Sequence, residues 1–387
     1  MAFIHDIAVD YPLLRLLDDD GRLAPATPTA LRAPALWWQA YEHMLLTRRF
    51  DERAIHLQRT GRLGTYASCL GQEALSTAIG LALRPDDVLV PYYRDQAAQL
   101  LRGVAMADIL RYWGGDERGS AGSGPREDMP ACVPIATQLP HAAGIATAIK
   151  LRQQKRAVLV TCGDGATSRG DFYEALNLAG VWHLPLVIVI NNNQWAISVP
   201  LSAQTACPTL AQKALAAGLP GVRVDGNDVL ALQAVLGEAL ARARAGKGPT
   251  LVEGVTYRLC DHTTADDMSR YADPARREQA RAHEPLLRLR ALLEREGGWS
   301  AAREEALAQE HRARIDAAEA DYLATPAPTP TDMFDYLFAD PPEELQEQRE
   351  AFLRRLAAGG GPGTMSSPPA PDPGAAVPVD GGPPACS

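Results

Sequence analysis

Two short apolar runs, at 157–162 (AVLVTC) and 186–190 (LVIVI), each close on a polar cluster, and this pairing constrains the chain most. Gly163-Asp164-Gly165 follows the first run and Asn191-Asn192-Asn193 follows the second. Between them Phe172, Ala175, Leu176 and Ala179 recur at 3, 1 and 3 residues, the spacing of one helical face. Strand, helix and strand at this length form a crossover unit, so both strands are predicted to lie parallel in one sheet. The two polar clusters then emerge together at the carboxyl end of that sheet, where open α/β folds hold ligands. A carboxylate and carboxamides beside glycines suit a magnesium-bound diphosphate.

Glycine spacing narrows the choice. In GDGATSRGD a dinucleotide fingerprint would need glycine at Ser168, and a phosphate-binding Walker loop would need Lys-Ser/Thr where Asp171 stands. An acidic residue inside Gly-x-Gly repels phosphate unless a cation intervenes, so Asp164 reads as a magnesium ligand. The bland alternative is a tight strand-to-helix turn capped by Asp164.

The rest of the chain fits a soluble enzyme. Of its 387 residues 46% are hydrophobic, enough for a large core. No apolar run approaches the roughly 20 residues of a membrane span, and the N-terminus lacks a signal or transit pattern. Six scattered cysteines without a C-x-x-C pair point to reduced thiols in a cytoplasm. The formal charge of −9 disfavours a nucleic-acid partner.

Three regions are expected: an extension at 1–33 that wraps a surface, a folded domain at 34–358, and a Pro/Gly-rich disordered tail at 359–387. Within the domain, helices are predicted at 37–60, 71–83, 96–101, 144–151, 229–245, 284–296 and 301–323. Strands are predicted at 88–90, 222–224 and 250–257, besides the two opening runs. Residues 114–130 read as a surface loop.

The segment GDGATSRGDFYEALNLAGVWHLPLVIVINNNQWAIS resembles the thiamine-diphosphate motif of alpha subunits of 2-oxo acid dehydrogenase components. The likeness extends from about Leu45 to Ser300 through QRTGRLGTYASCLGQEA, PYYRDQ, PIATQLPHAAGIA, RVDGNDVLAL and DHTTADDMSRY, in family order. It implies an α/β thiamine-diphosphate-binding fold, a parallel sheet with helices on both faces. It also implies oxidative decarboxylation of a 2-oxo acid with acyl transfer to lipoamide.

Carried over residue by residue, the resemblance assigns the magnesium ion to Asp164, Asn193 and the carbonyl of Trp195. Thiamine diphosphate falls to Tyr93, Arg94, Ile135, Gly163, Asp164, Gly165, Ala166, Asn193, Ile197 and His262. His262 is the expected catalytic residue, a type whose ordinary pKa lies near neutrality. Gly165 and Ala166 are expected to offer backbone amides at a helix start. Cys132, Pro134, Thr137 and Gln138 stand where some relatives bind potassium, and a cysteine suits a hard cation poorly. His43, His56 and His183 read as surface or packing residues.

Arg169, the short loop at 118–133 and Asp261 depart from the family pattern, as does Asn191, which stands where relatives carry Arg or Gln. The glutamate that activates the cofactor is not in this chain. A beta subunit is implied to supply it in a two-alpha, two-beta assembly served by a lipoyl-bearing acyltransferase. Pyruvate is the expected substrate, with a branched-chain 2-oxo acid, acetoin, or a non-catalytic paralogue as alternatives.

Overall fold

The computed structural model describes residues 11–358, so the readings of 1–10 and of the tail at 359–387 lie outside the described residues. The chain divides into two compact units, one ending at Thr325 and one beginning at Pro326.

A five-stranded parallel sheet organises the first unit: β1 (Val88–Val90), β2 (Val158–Gly163), β3 (Leu186–Asn192), β6 (Gly221–Asp225) and β7 (Thr250–Val255). Their order is β1-β2-β3-β7-β6. The short strands β4 (Trp195–Ala196) and β5 (Val199–Pro200) form a separate antiparallel hairpin. In β3, Leu186, Ile188 and Ile190 face one side and Val187 and Val189 the other, the period-2 alternation of a strand. Both sides are apolar because both are covered, as a parallel sheet requires.

One face carries helices Pro34–Arg59, Glu73–Ala82, Val229–Arg244 and Pro285–Glu296, packing Met44, Ile79, Leu236 and Leu289 against Leu159 and Val252. The other carries Gln138–Leu151 and Gly170–Val181, with Leu139, Phe172 and Leu176 against Val160 and Ile188. The predicted stripe of Phe172, Ala175, Leu176 and Ala179 is buried throughout. The β2–β3 crossover travels one way along the sheet and the β6–β7 crossover the other. Connections of one hand therefore place their helices on opposite faces.

The extension joins this core. Leu14 pairs in parallel with Val224 at the sheet edge, and Leu16 and Leu17 are buried. Asp228 fastens both ends of this arrangement. Its Oδ2 accepts from the Leu16 and Leu17 amides at 2.6 and 2.7 Å, while Oδ1 caps helix Val229–Arg244 through Leu230 and Ala231, each at 3.0 Å.

Several boundaries differ from the sequence reading. The helix read at 144–151 starts at Gln138, because a proline within a first turn removes no needed donor. Strand β7 ends at Val255, two residues early. Residues 114–130 hold a short helix, Arg118–Ala121, and are anchored by Asp128. That carboxylate accepts from the Leu89 amide at 2.8 Å and from Arg102 Nε at 2.7 Å. Helices Met106–Trp113 and Pro274–Ala282 were not read.

The second unit contains helices Asp332–Asp335 and Glu343–Ala357. The Phe334 and Phe352 rings meet at a tilt with centroids 5.7 Å apart, and Arg349 pairs with Asp335 at 2.7 Å.

Candidate active site

The carboxyl ends of β1, β2 and β3 open into a cleft of about 210 Å³. Tyr93, Arg94, Ile135, Gly163, Asp164, Gly165, Ala166, Asn193, Trp195, Ile197 and His262 all line it. Residues up to 169 positions apart in sequence (93 to 262) are thus brought to one wall.

Asp164 leaves β2 directly into a 3₁₀ turn, Asp164–Ser168, and the α-helix begins only at Gly170. The expected helix start at Gly165 and Ala166 is therefore a single tight turn. Asp164 is 1% exposed. Burial pushes its carboxyl up to about 6, against the opposing effects of a hydrogen bond from Gln204 and of Arg258 and Arg94. Gln204 Nε2 donates to Asp164 Oδ2 at 2.8 Å. Gly165 answers a steric demand, since a Cβ there would sit 2.7 Å from Ala196 Cβ on the β4–β5 hairpin.

The three asparagines divide their work. Asn191 donates to Tyr92 Oη and accepts from Thr256 Oγ1, both at 2.6 Å, and does not line the cleft. Asn192 donates to Glu253 at 2.6 Å. Only Asn193 reaches the cleft, its Nδ2 held by the fully buried Gln72 Oε1 at 2.9 Å. With Nδ2 engaged, Oδ1 is the atom left for other contacts, and it accepts from the Trp195 amide at 3.2 Å.

Arg94 lines the cleft, and the buried Arg258, which does not line it, sits behind His262. Arg94 is 1% exposed and donates to the Ser68 carbonyl at 2.6 Å and to the His262 carbonyl at 2.5 Å. Arg258 donates to the Ile197 carbonyl at 2.7 Å and to Tyr271 Oη at 2.6 Å. Among the described residues neither guanidinium has a carboxylate within ion-pair distance. Two buried cations without counter-charge call for an anion.

His262 Nδ1 lies 3.0 Å from Arg94 Nη2 and 3.4 Å from Arg258 Nη1. A guanidinium only donates, so Nδ1 is the acceptor and the ring proton sits on Nε2. Burial, then Arg94 and Arg258, pull the His262 pKa down to about 3 against Asp266. Burial and the two guanidiniums thus hold the ring in its neutral form.

Strain collects here too. Ala136, Gln194 and Ile197 have φ of 72°, 73° and 55°. Left-handed backbone at non-glycine residues costs of order 1–3 kcal/mol each and concentrates at ligand sites.

Of the departures from the family pattern, only Cys132 at the end of the 118–133 loop lines the cleft. Arg169 is exposed beside Asp171 at 3.6 Å, which offsets its charge locally. Asp261 caps the Met268 amide at 2.8 Å. Cys132 Sγ and Thr137 Oγ1 meet at 3.1 Å, and Thr137 donates to the Pro134 carbonyl at 3.0 Å, so this segment bonds within itself. His43, His56 and His183 do not line the cleft. Arg258, Gln204 and Gln72 were not singled out from the sequence. Only the Tyr257-Arg258 pair before the histidine loop hinted at the first.

The cleft sets the buried Arg94 guanidinium at the carboxyl edge of a parallel α/β sheet, an arrangement chemically suited to an anion. Residues 41–331 match the family model described as dehydrogenase E1 component. The chain is 41% identical to the 3-methyl-2-oxobutanoate dehydrogenase subunit alpha of Mycobacterium tuberculosis over 359 residues, 91% of this chain and 96% of that one. It is 36% identical to the pyruvate dehydrogenase E1 component subunit alpha of Staphylococcus aureus over 353 residues, 91% and 95% of the two chains. The chain belongs to the dehydrogenase E1 component family, and its fold is the thiamine-diphosphate-binding fold of that family.

The residues present fit that cofactor. The uncompensated Arg94 guanidinium suits its diphosphate, and Trp195 Nε1 and Gln138 Oε1 are buried in the lining without partners. Among the described residues no group of three His, Cys, Asp or Glu side chains could hold a metal. A cation here would rest instead on one carboxylate, one carboxamide, a backbone carbonyl and ligand oxygens. No described helix is long and apolar enough to cross a membrane.

Proposed function

We propose that this chain is the alpha subunit of a 2-oxo acid dehydrogenase and binds magnesium thiamine diphosphate in the cleft. The observation carrying this reading is the buried Arg94 guanidinium, without a carboxylate in ion-pair distance among the described residues, lining one cleft with Asp164 and Asn193. When bound, thiamine diphosphate supplies the electron sink for loss of CO2 from a 2-oxo acid. Asp164, Asn193 and the Trp195 carbonyl would hold magnesium, and Arg94 with the Gly165 and Ala166 amides would hold the diphosphate. Ile135 and Ile197 present apolar surface to the ligand and exclude water. His262, neutral and protonated on Nε2, donates a hydrogen bond into the cleft and so steadies negative charge that develops there.

The activating glutamate is expected from a beta subunit, with a lipoyl-bearing acyltransferase as acceptor. For the acyl chain we place 3-methyl-2-oxobutanoate (2-oxoisovalerate) ahead of pyruvate, reversing the sequence expectation. The higher identity to the mycobacterial enzyme supports this order. Pyruvate is the second reading, favoured by the segment GRLGTY. Steady-state assays of the chain reconstituted with its beta partner decide between them. A kcat/KM for 2-oxoisovalerate at least tenfold above that for pyruvate is expected, and the reverse ratio would reject the assignment. Absence of calorimetric binding of magnesium thiamine diphosphate to the assembled pair would reject the enzyme reading itself.

A further inference from the structure

Asp51 lies on helix Pro34–Arg59 and is 2% exposed. It does not line the cleft. It has no cation within ion-pair distance, yet four groups of one segment turn towards it. Tyr66 Oη and the Cys69 amide each donate to its Oδ1 at 3.0 Å, Cys69 Sγ lies 3.6 Å from the same oxygen, and Ser68 Oγ donates to its Oδ2. A buried carboxylate satisfied by neutral donors is costly compared with an apolar side chain, so packing alone does not account for it.

The next links lead to the site. The carbonyl of the same Ser68 accepts from Arg94 Nη1 at 2.6 Å. The second arm of that guanidinium, Nη2, reaches the His262 carbonyl at 2.5 Å and its Nδ1 at 3.0 Å. Helix, loop, guanidinium and imidazole thus form one hydrogen-bonded chain in which each member fixes the next. Thr264 clamps the same loop from the other side, its Oγ1 accepting from the Tyr66 amide at 3.0 Å and its amide donating to the Tyr66 carbonyl at 2.9 Å.

We propose that Asp51 is a positioning residue of the active site, acting through Ser68 on the Arg94 fork and through Arg94 on the tautomer and orientation of His262. This rests on the reading that the cleft holds thiamine diphosphate. Because Ser68 is the intermediate, the effects of Asp51 and Ser68 cannot add.

The test uses Asp51→Asn, Ser68→Ala and the double variant in the full chain. In the assembly with the beta partner, calorimetric titration with magnesium thiamine diphosphate is expected to show about tenfold weaker binding for each single variant. The double variant is expected to bind no more weakly than the worse single one. In the ¹⁵N-histidine-labelled full chain, the His262 Nδ1 resonance is expected at the acceptor position in the wild type and displaced from it in both single variants. Additive losses in the double variant, or wild-type affinity with an unmoved His262 resonance in either folded single variant, would overturn the proposal. If Asp51→Asn fails to fold, Ser68→Ala decides by the same two readouts. If the wild-type assembly does not bind the cofactor, the functional reading fails separately, and the resonance alone decides whether the chain of contacts exists.

Discussion

Gly165→Ala isolates the steric relation on which the site is built. The backbone φ at Gly165 lies outside the left-handed region, so an alanine is conformationally allowed and only space is tested. Its Cβ would meet Ala196 Cβ at 2.7 Å, with Ala196 Cα next at 3.6 Å and Gln204 Oε1 at 3.9 Å. Carbon atoms rest at about 3.5–4.0 Å, so the two segments must part by about 1 Å. Overpacking typically costs about 1–3 kcal/mol. Part of that is offset by about 0.4–1 kcal/mol from the stiffer unfolded chain. The β4–β5 hairpin has only two residues in each strand and is the side that yields. Net destabilisation should therefore stay at or below about 2 kcal/mol. The displacement falls on Trp195, next to the clash, and misplacement by about 1 Å can cost about 10²-fold in function. Calorimetry of the assembled enzyme should show cofactor affinity reduced by about two orders of magnitude with a melting temperature lowered by only a few degrees. Ala196→Gly in the same background removes the opposing atom and should restore most of the affinity. Wild-type affinity in Gly165→Ala, or no rescue by the second change, would refute the view that close approach of this hairpin shapes the cation site.

Three further outcomes are expected. His262→Gln should reduce turnover about 10²–10⁴-fold with little change in thermal stability. In the wild type, the stability linked to the depressed His262 pKa is present above about 6.5 and lost as pH falls towards about 3, a slope that proton-counting denaturation should find absent in the variant. Burial pushes Asp95 up to about 7, so its contribution is full below about pH 4, near its unfolded pKa, and lost as pH rises through about 7. Urea melts should then show Asp95→Asn gaining on the wild type across that window, and a constant difference would contradict the shift. Asp228→Ala removes one helix cap and strands two buried amides of the extension, so a loss of about 2–4 kcal/mol is expected by denaturant unfolding.

What could be read in the sequence followed local physics. The alternation in β3, the helical stripe from Phe172 to Ala179 and the polar ends of β2 and β3 are near-neighbour patterns, and they place Asp164 and Asn193 together without further information. Arg94 and His262 needed the family resemblance, because nothing local distinguishes a cleft arginine from a surface one. Arg258, Gln204, Gln72 and Asp51 stayed invisible for a related reason. Each acts on a partner 15 to 121 residues away in sequence that only the fold brings near, from Asp51 with Tyr66 to Gln72 with Asn193. The ordinary pKa of His262 is a property of the side chain, whereas its lowered one comes first from burial and then from Arg94 and Arg258, which the fold supplies.

The charges of the cleft point in one direction when taken together. Burial lifts the Asp164 carboxyl to about 6, and burial with Arg94 lowers the pKa of Arg258. Asp164 and Arg258 are therefore pushed towards their neutral forms by desolvation, and the lining atoms Trp195 Nε1 and Gln138 Oε1 are buried without a partner. An apolar replacement would relieve the cost, and so would a ligand carrying both signs of charge. A diphosphate with its divalent cation is such a ligand: under the proposed function the cation would meet Asp164 and Asn193, and the anion Arg94. The strain at Ile197 and the tight approach of Gly165 to Ala196 then have a common origin, since both hold the hairpin carbonyls against a site whose electrostatics are completed only by what binds there.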